Sequence, residues 1–232
     1  VAFCQSLQFE LPDSFPLEPW ETLLDLGRIF KPQQPEAWGD LASAMISVAY
    51  RYRSCCEALD SIVDGWDPNL RRGLEYFEAG YRQQRGLFSF FTCGVAAIES
   101  GTYACHVYAC QRGILDWTDE RARRSNSDPL KLARALGAVL PENHPLPVSL
   151  KAISASGEWK RWKDFRNTFS HRSVKSRSST GSIGGTPPAR KMFDYGSTWS
   201  MPELVGDESV LRVKVEWIEE RLRTVLVEGA RL

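Results

Sequence analysis

Residues 86–111, GLFSFFTCGVAAIESGTYACHVYACQ, carry one formal charge, Glu99. Apolar side chains fall on nearly every face of a helix drawn through them, which is the pattern of a helix buried all round. A membrane span needs about 20 mainly apolar residues. Gly86, Ser89, Thr92, Gly94, Ser100, Gly101, Thr102 and His106 dilute this stretch too far for that. The segment is therefore expected to be the central helix of a bundle, with no membrane contact.

The flanking sequence supplies its neighbours. Upstream, Leu41, Met45, Val48, Ala49, Tyr52, Leu59 and Ile62 recur at helical spacing and predict a helix over Glu36–Val63. Asp64-Gly65-Trp66-Asp67-Pro68 ends it, and a second helical region runs over 69–112 with a break expected near Arg85-Gly86. Downstream, 116–128 is polar and reads as loop with at most a turn of helix. Asp128-Pro129 has the form of an N-cap followed by a first helical residue, opening a short helix over Leu130–Leu140. Pro141, Pro145 and Pro147 form a connector before a helix over Val148–Arg172, kinked at Gly157. Residues 173–190 are Ser/Gly-rich and cannot bury enough surface to order themselves, so 173–206 is expected as a flexible loop insertion. From Asp207 a last helix presents Val210, Val213, Trp217, Ile218, Leu222 and Val225 as its apolar face.

Residues 1–34 are acidic and broken by proline; one short helix over 20–30 fits, with the rest extended over the surface. The sum is an all-α fold, a helical bundle of five or six helices over 35–232 with no strand.

Composition narrows the functional classes. Lys+Arg and Asp+Glu are equal at 29 each, so overall charge calls for no polyanion partner and any such reading must rest on local charge. The six cysteines form no C-x-x-C pair, and Cys55 and Cys56 are adjacent. That usage suits a reducing cytosol, and no charged start with an apolar signal core is seen, so a cytoplasmic protein is expected. Cys105, His106 and Cys110 lie close in sequence and could hold a metal, but small buried residues in a packed helix explain them better. No metal and no cofactor is expected.

The segment WKRWKDFRNTFSHR, Trp159 to Arg172, carries the chemistry. On a helix, Trp159, Trp162, Phe165 and Phe169 share one apolar face. Asn167 and His171 are neighbours on the outer side, with Lys160 and Lys163. Arg166 falls inside the apolar face, where a guanidinium must find a carboxylate, a phosphate or a wet cleft. Glu99, alone on its uncharged helix, is the candidate partner of Arg166.

Arg166-Asn167-Thr168-Phe169-Ser170-His171 resembles the active-site motif of the HEPN ribonucleases: Arg, a polar residue, three more residues, then His. Its setting agrees, an amphipathic helix late in an all-helical domain, followed by a loop and a closing helix. The resemblance covers about 36–230 in architecture and is specific at the six-residue motif.

The resemblance implies a metal-independent endoribonuclease, a hydrolase acting as a toxin or defence effector, with RNA as substrate and room for an antitoxin protein partner. The ribose 2′-OH would attack its own 3′-phosphate, leaving a 2′,3′-cyclic phosphate. His171 would move protons, since an imidazole titrates at about pH 6.5. Arg166 would neutralise the phosphoryl oxygens and Asn167 would fix the imidazole or the phosphate. Arg166 and His171 lie about 140° apart on their own helix, and in HEPN proteins the motif helices of two subunits face each other. A homodimer across the motif helix is therefore expected. From Glu158 to Lys191 nine Lys/Arg stand against two acids; Lys160, Lys163, Arg172 and Lys175 are candidate RNA-binding residues. The alternative is a non-catalytic HEPN-like module for dimerisation or for binding a ligand or partner.

Overall fold

A computed structural model describes residues 2–4, 9–64, 76–171, 193–195, 204–206 and 208–232. Among these the fold is all-helical in substance: α1 (Leu17–Arg28), α2 (Pro35–Asp64), α3 (Tyr76–Gln111), α4 (Glu120–Ser125), α5 (Pro129–Gly137), α6 (Pro145–Ala155), α7 (Gly157–His171) and α8 (Glu208–Gly229). Four three-residue strands, unforeseen in the sequence, form two antiparallel pairs: β1 (Ala2–Cys4) with β2 (Phe9–Leu11), and β3 (Phe193–Tyr195) with β4 (Leu204–Gly206). Three residues are too few to show a period-two pattern.

The framework is the hairpin of α2 and α3, whose long faces interdigitate, with α7 and α8 both laid on α3. Leu87, Phe90, Phe91, Val95, Ile98 and Val107 of α3 are fully buried. No described helix is long and apolar enough to cross a membrane. α3 runs unbroken through Gly86. That glycine is a point of close approach, because a Cβ there would stand 2.7 Å from Ile62 Cγ1. The helix stops at Gly113, whose φ of +68° is the left-handed conformation glycine adopts freely. Ile114 N–H and Gly113 N–H then return to the carbonyls of Ala109 and Cys110, both at 2.9 Å.

Among the described residues there are eight helices where five or six were expected, for two local reasons. Asp119 caps α4 by accepting from Ala122 N–H at 2.9 Å, so the polar stretch forms a helix. The expected 148–172 helix is two. It begins at Pro145, where two prolines occupy the first turn and lose no intrahelical bond. It is then cut at Ser156, an extended residue whose Oγ accepts from Trp159 N–H at 3.1 Å and caps α7. Asp128 caps α5 through Leu130 N–H and Lys131 N–H, with Pro129 behind it.

The N-terminal segment enters the core instead of lying over it. Leu11, Phe15, Trp20 and Leu23 are buried, and Trp20 Nε1–H donates to the Met45 carbonyl at 2.7 Å. Its acidic residues Glu18, Glu21 and Asp25 face outward. The aromatic and leucine spacing, more than the prolines, governs this segment. On α8 the buried face is Leu211, Lys214, Ile218, Leu222 and Val225, while Val213 is 61% exposed and Val210 36%. Lys214 takes the inward place because Glu158 pairs with it. The expected flexible loop, 173–206, lies outside the described residues apart from β3 and β4.

α7 is seated by one contact above all. Trp162 is fully buried, lies 5.0 Å from Phe90 in a stacked arrangement, and meets Phe91 edge-on at 5.0 Å. Its ring enters a notch at Gly94, where any Cβ would overlap it. Gly94→Ala should therefore lower stability by about 1–3 kcal/mol despite the better helix former. Gly39→Ala, in open space on α2, should raise it by roughly 0.5–1 kcal/mol. Urea denaturation of the two variants checks the contrast.

Candidate functional site

The motif residues sit on α7, anchored from behind. Trp159, Trp162 and Phe165 are buried and Phe169 stacks on Phe91 with ring centroids 5.8 Å apart. Arg166 emerges at the edge of this aromatic face. Its Nη1–H donates to Glu99 Oε1 at 3.1 Å, and its Nε–H donates to Asn167 Oδ1 at 3.3 Å. Both members of the ion pair are about a quarter exposed, 26% and 27%. A guanidinium has five N–H donors, and the bonds among the described residues use two of them.

Asn167 is exposed, with its amide oxygen turned to Arg166. His171 is the last residue of α7, one turn beyond Asn167; its side chain lies outside what is described. Lys160 is exposed. Lys163 is engaged, its Nζ 3.5 Å from Asp128 and 5.8 Å from the Trp159 ring centre. Arg172 and Lys175 lie outside the described residues. The structure thus brings Arg166, Asn167 and Glu99 together and places Lys160 and Lys163 on the same helix.

Glu99 also lines an open polar cleft of about 380 Å³ between α2 and α3. Arg51 projects from α2 into its wall, donating to Ser100 Oγ at 2.9 Å and to the Ala96 carbonyl at 3.2 Å. At the far end Tyr103 Oη–H donates to Asp40 Oδ2 at 3.0 Å. Burial, and then the bond to Asp40, push the Tyr103 phenol up to about 12, so it remains a donor at neutral pH. Asp40, Arg51 and Tyr103 escape a sequence reading because they meet only through the register of α2 against α3. Arg51 within Tyr50-Arg51-Tyr52-Arg53 looks like any solvated helix cation.

Cys105, His106 and Cys110 do not converge. Cys105 Sγ–H points to the Val225 carbonyl on α8 at 3.5 Å. His106 turns instead to Cys110 Sγ (3.7 Å) and to Asn126 Nδ2 (3.3 Å) on α4's C-cap. No described group of three such side chains could hold a metal ion. Burial raises the thiols of Cys56, Cys105 and Cys110 to about 12, so none of them is a nucleophile at neutral pH. Cys55, Cys56, Cys93, Cys105 and Cys110 are free thiols.

Comparison with known proteins returns no match, whether to a family model, a curated protein or a solved structure.

His106 offers a check on the interior. It is fully buried, and burial, followed by the nearby Arg123 cation, lowers its pKa to about 4. The unfolded chain then binds more protons than the folded one between pH 6.5 and 4. Stability is complete above that window and falls as pH drops through it, by on the order of 3 kcal/mol. Denaturation of His106→Gln across pH 7 to 4 should show a flatter profile than the parent.

Proposed function

We propose that this chain is a metal-independent endoribonuclease of HEPN type. The observation that carries the proposal is the grouping on α7: Arg166 at the edge of a rigid aromatic face, hydrogen-bonded to Asn167, with His171 one turn further along the same helix. Arg166 is pre-aimed by Glu99 and keeps donors for a phosphate. His171 moves protons: as base it takes the 2′-OH proton, and as acid it returns one to the departing 5′-oxygen. The P–O5′ bond breaks as the O2′–P bond forms, giving a 2′,3′-cyclic phosphate and a 5′-hydroxyl.

Arg166 and His171 diverge on one helix, so a second copy supplies the missing half of each site, the Arg of one subunit meeting the His of the other. RNA is the substrate, with Lys160, Lys163, Arg172 and Lys175 as the phosphate-binding rim. The role is that of a toxin or defence effector in the cytoplasm, for which an antitoxin protein is the matching partner. One observation favours a second reading, a non-catalytic dimerisation or binding module: the Arg166–Glu99 ion pair already satisfies part of the guanidinium.

Cleavage of a mixed RNA in EDTA separates the two. His171→Ala and Arg166→Ala should each slow it at least ~100-fold, with circular dichroism unchanged. The products should end in a 2′,3′-cyclic phosphate and DNA should stay intact. Undiminished cleavage by both variants, or none by the parent, overturns the assignment.

A further inference from the structure

Two glycine contacts fix how α2 lies against α3. A Cβ at Gly86 would stand 2.7 Å from Ile62 Cγ1, and one at Gly101 would stand 3.8 Å from Val48 Cγ2. The later residue of α3 meets the earlier residue of α2, so the helices run antiparallel. Cys55 is seven residues from Val48 and seven from Ile62; Cys93 is seven from Gly86 and eight from Gly101. Seven residues are about two turns, which returns a side chain to the same face. Cys55 and Cys93 therefore stand opposite one another, midway between the two contacts.

A direct bond agrees with this register. Cys55 Sγ–H points to the Phe90 carbonyl of α3 at 3.4 Å. A helical side chain covers the turn before its own Cα, so Cys93 covers the turn that holds Phe90. Both sulfurs thus approach the same stretch of α3. A disulfide needs Cα atoms about 4.4–6.8 Å apart, which two helices reach only where small residues let their backbones close. The seam is built that way: a Cβ at Gly86 would also lie 3.6 Å from the Ala58 carbonyl oxygen.

The two thiols differ in access and in state. Cys55 is buried, whereas Cys93 is half-buried. Burial raises the Cys93 thiol, and the nearby Arg51 cation opposes that rise. Burial holds Cys55 well above its ordinary value, with Cys56 and Cys93 adding to the effect, so it stays a thiol. The other described cysteines face elsewhere. Cys56 turns to Tyr52, Cys105 to the Val225 carbonyl and Cys110 to His106.

We infer that Cys55 and Cys93 are a peroxide-sensitive pair that closes to a disulfide across the α2–α3 seam. Hydrogen peroxide is the oxidant. The Cys93 sulfur takes one peroxide oxygen as the O–O bond breaks, giving a sulfenic acid and one water. The Cys55 sulfur then bonds to the Cys93 sulfur, the S–O bond breaks, and the hydroxyl leaves with the Cys55 proton as a second water. Two electrons pass from the two thiols to the peroxide, and a dithiol reductant returns them by exchange. Cys93 directly precedes Gly94, the notch for Trp162, so the link also ties the seat of α7 to α2. The pair is independent of the ribonuclease chemistry.

Peptide mapping tests the pair. The full chain is reduced, freed of reductant and exposed to hydrogen peroxide; remaining thiols are alkylated as it is unfolded, and non-reduced peptides are weighed by mass spectrometry. The parent should yield a Cys55–Cys93 linked peptide, two hydrogens lighter than its parts, that disappears on treatment with dithiothreitol. Cys56→Ala should keep that link. Cys55→Ala should stop at a Cys93 sulfenic acid that dimedone traps, and Cys93→Ser, at the half-buried position, should leave Cys55 fully alkylated. Alkylation of both thiols in the peroxide-treated parent, or a link that joins other cysteines in place of this pair, overturns the inference.

Discussion

Trp162 in the Gly94 notch is the contact on which the rest depends. A helix rich in Lys, Arg and Asp has little reason of its own to lie against an apolar neighbour. The indole supplies that reason, since it fills a space that only glycine leaves open, stacks on Phe90 and meets Phe91 edge-on. Phe165 and Phe169 extend the same face along α3. With the rotation of α7 so fixed, Arg166 has one place to go, the edge of the aromatic face next to Glu99. A rigid support of this kind holds a reactive side chain more closely than a loop would.

The second constraint is the cost of charge near a core. From Gly86 onward α3 is apolar nearly all round, and a carboxylate there must be paired or wet. Glu99 is both, facing Arg166 on one side and the cleft on the other. The polar residues that follow it, Ser100 and Tyr103, are each satisfied by a residue of α2, Arg51 or Asp40. The polar stripe on the central helix thus does structural work, tying α2 to α3, and leaves an open groove beside the motif.

Much of this was legible in the residues. Helical spacing and the single charge of 86–111 foretell a bundle around α3, and Asp128-Pro129 marks its helix start correctly. The failures have local causes. Ser156 cuts a long amphipathic pattern by capping the next helix. Gly86 and Gly94 look like breaks or fillers, yet they are contact points whose meaning appears only with Ile62 and Trp162 in place. The inward Lys214 disguises the true face of α8, because periodicity alone cannot foresee Glu158 as its partner. In the site, the Arg166 environment follows from a helical wheel, whereas the cleft arises from the register of two distant helices and has no sequence signature.

We propose that each reaction centre is composite, with Arg166 from one subunit and His171 from another. Complementation tests it most directly. Arg166→Ala and His171→Ala, each inactive alone, are mixed, unfolded and refolded together. Half of the dimers are then mixed, and each carries one intact centre, so ribonuclease activity should return to about one quarter of the parent's. A mixture as inactive as its two components would contradict a shared site.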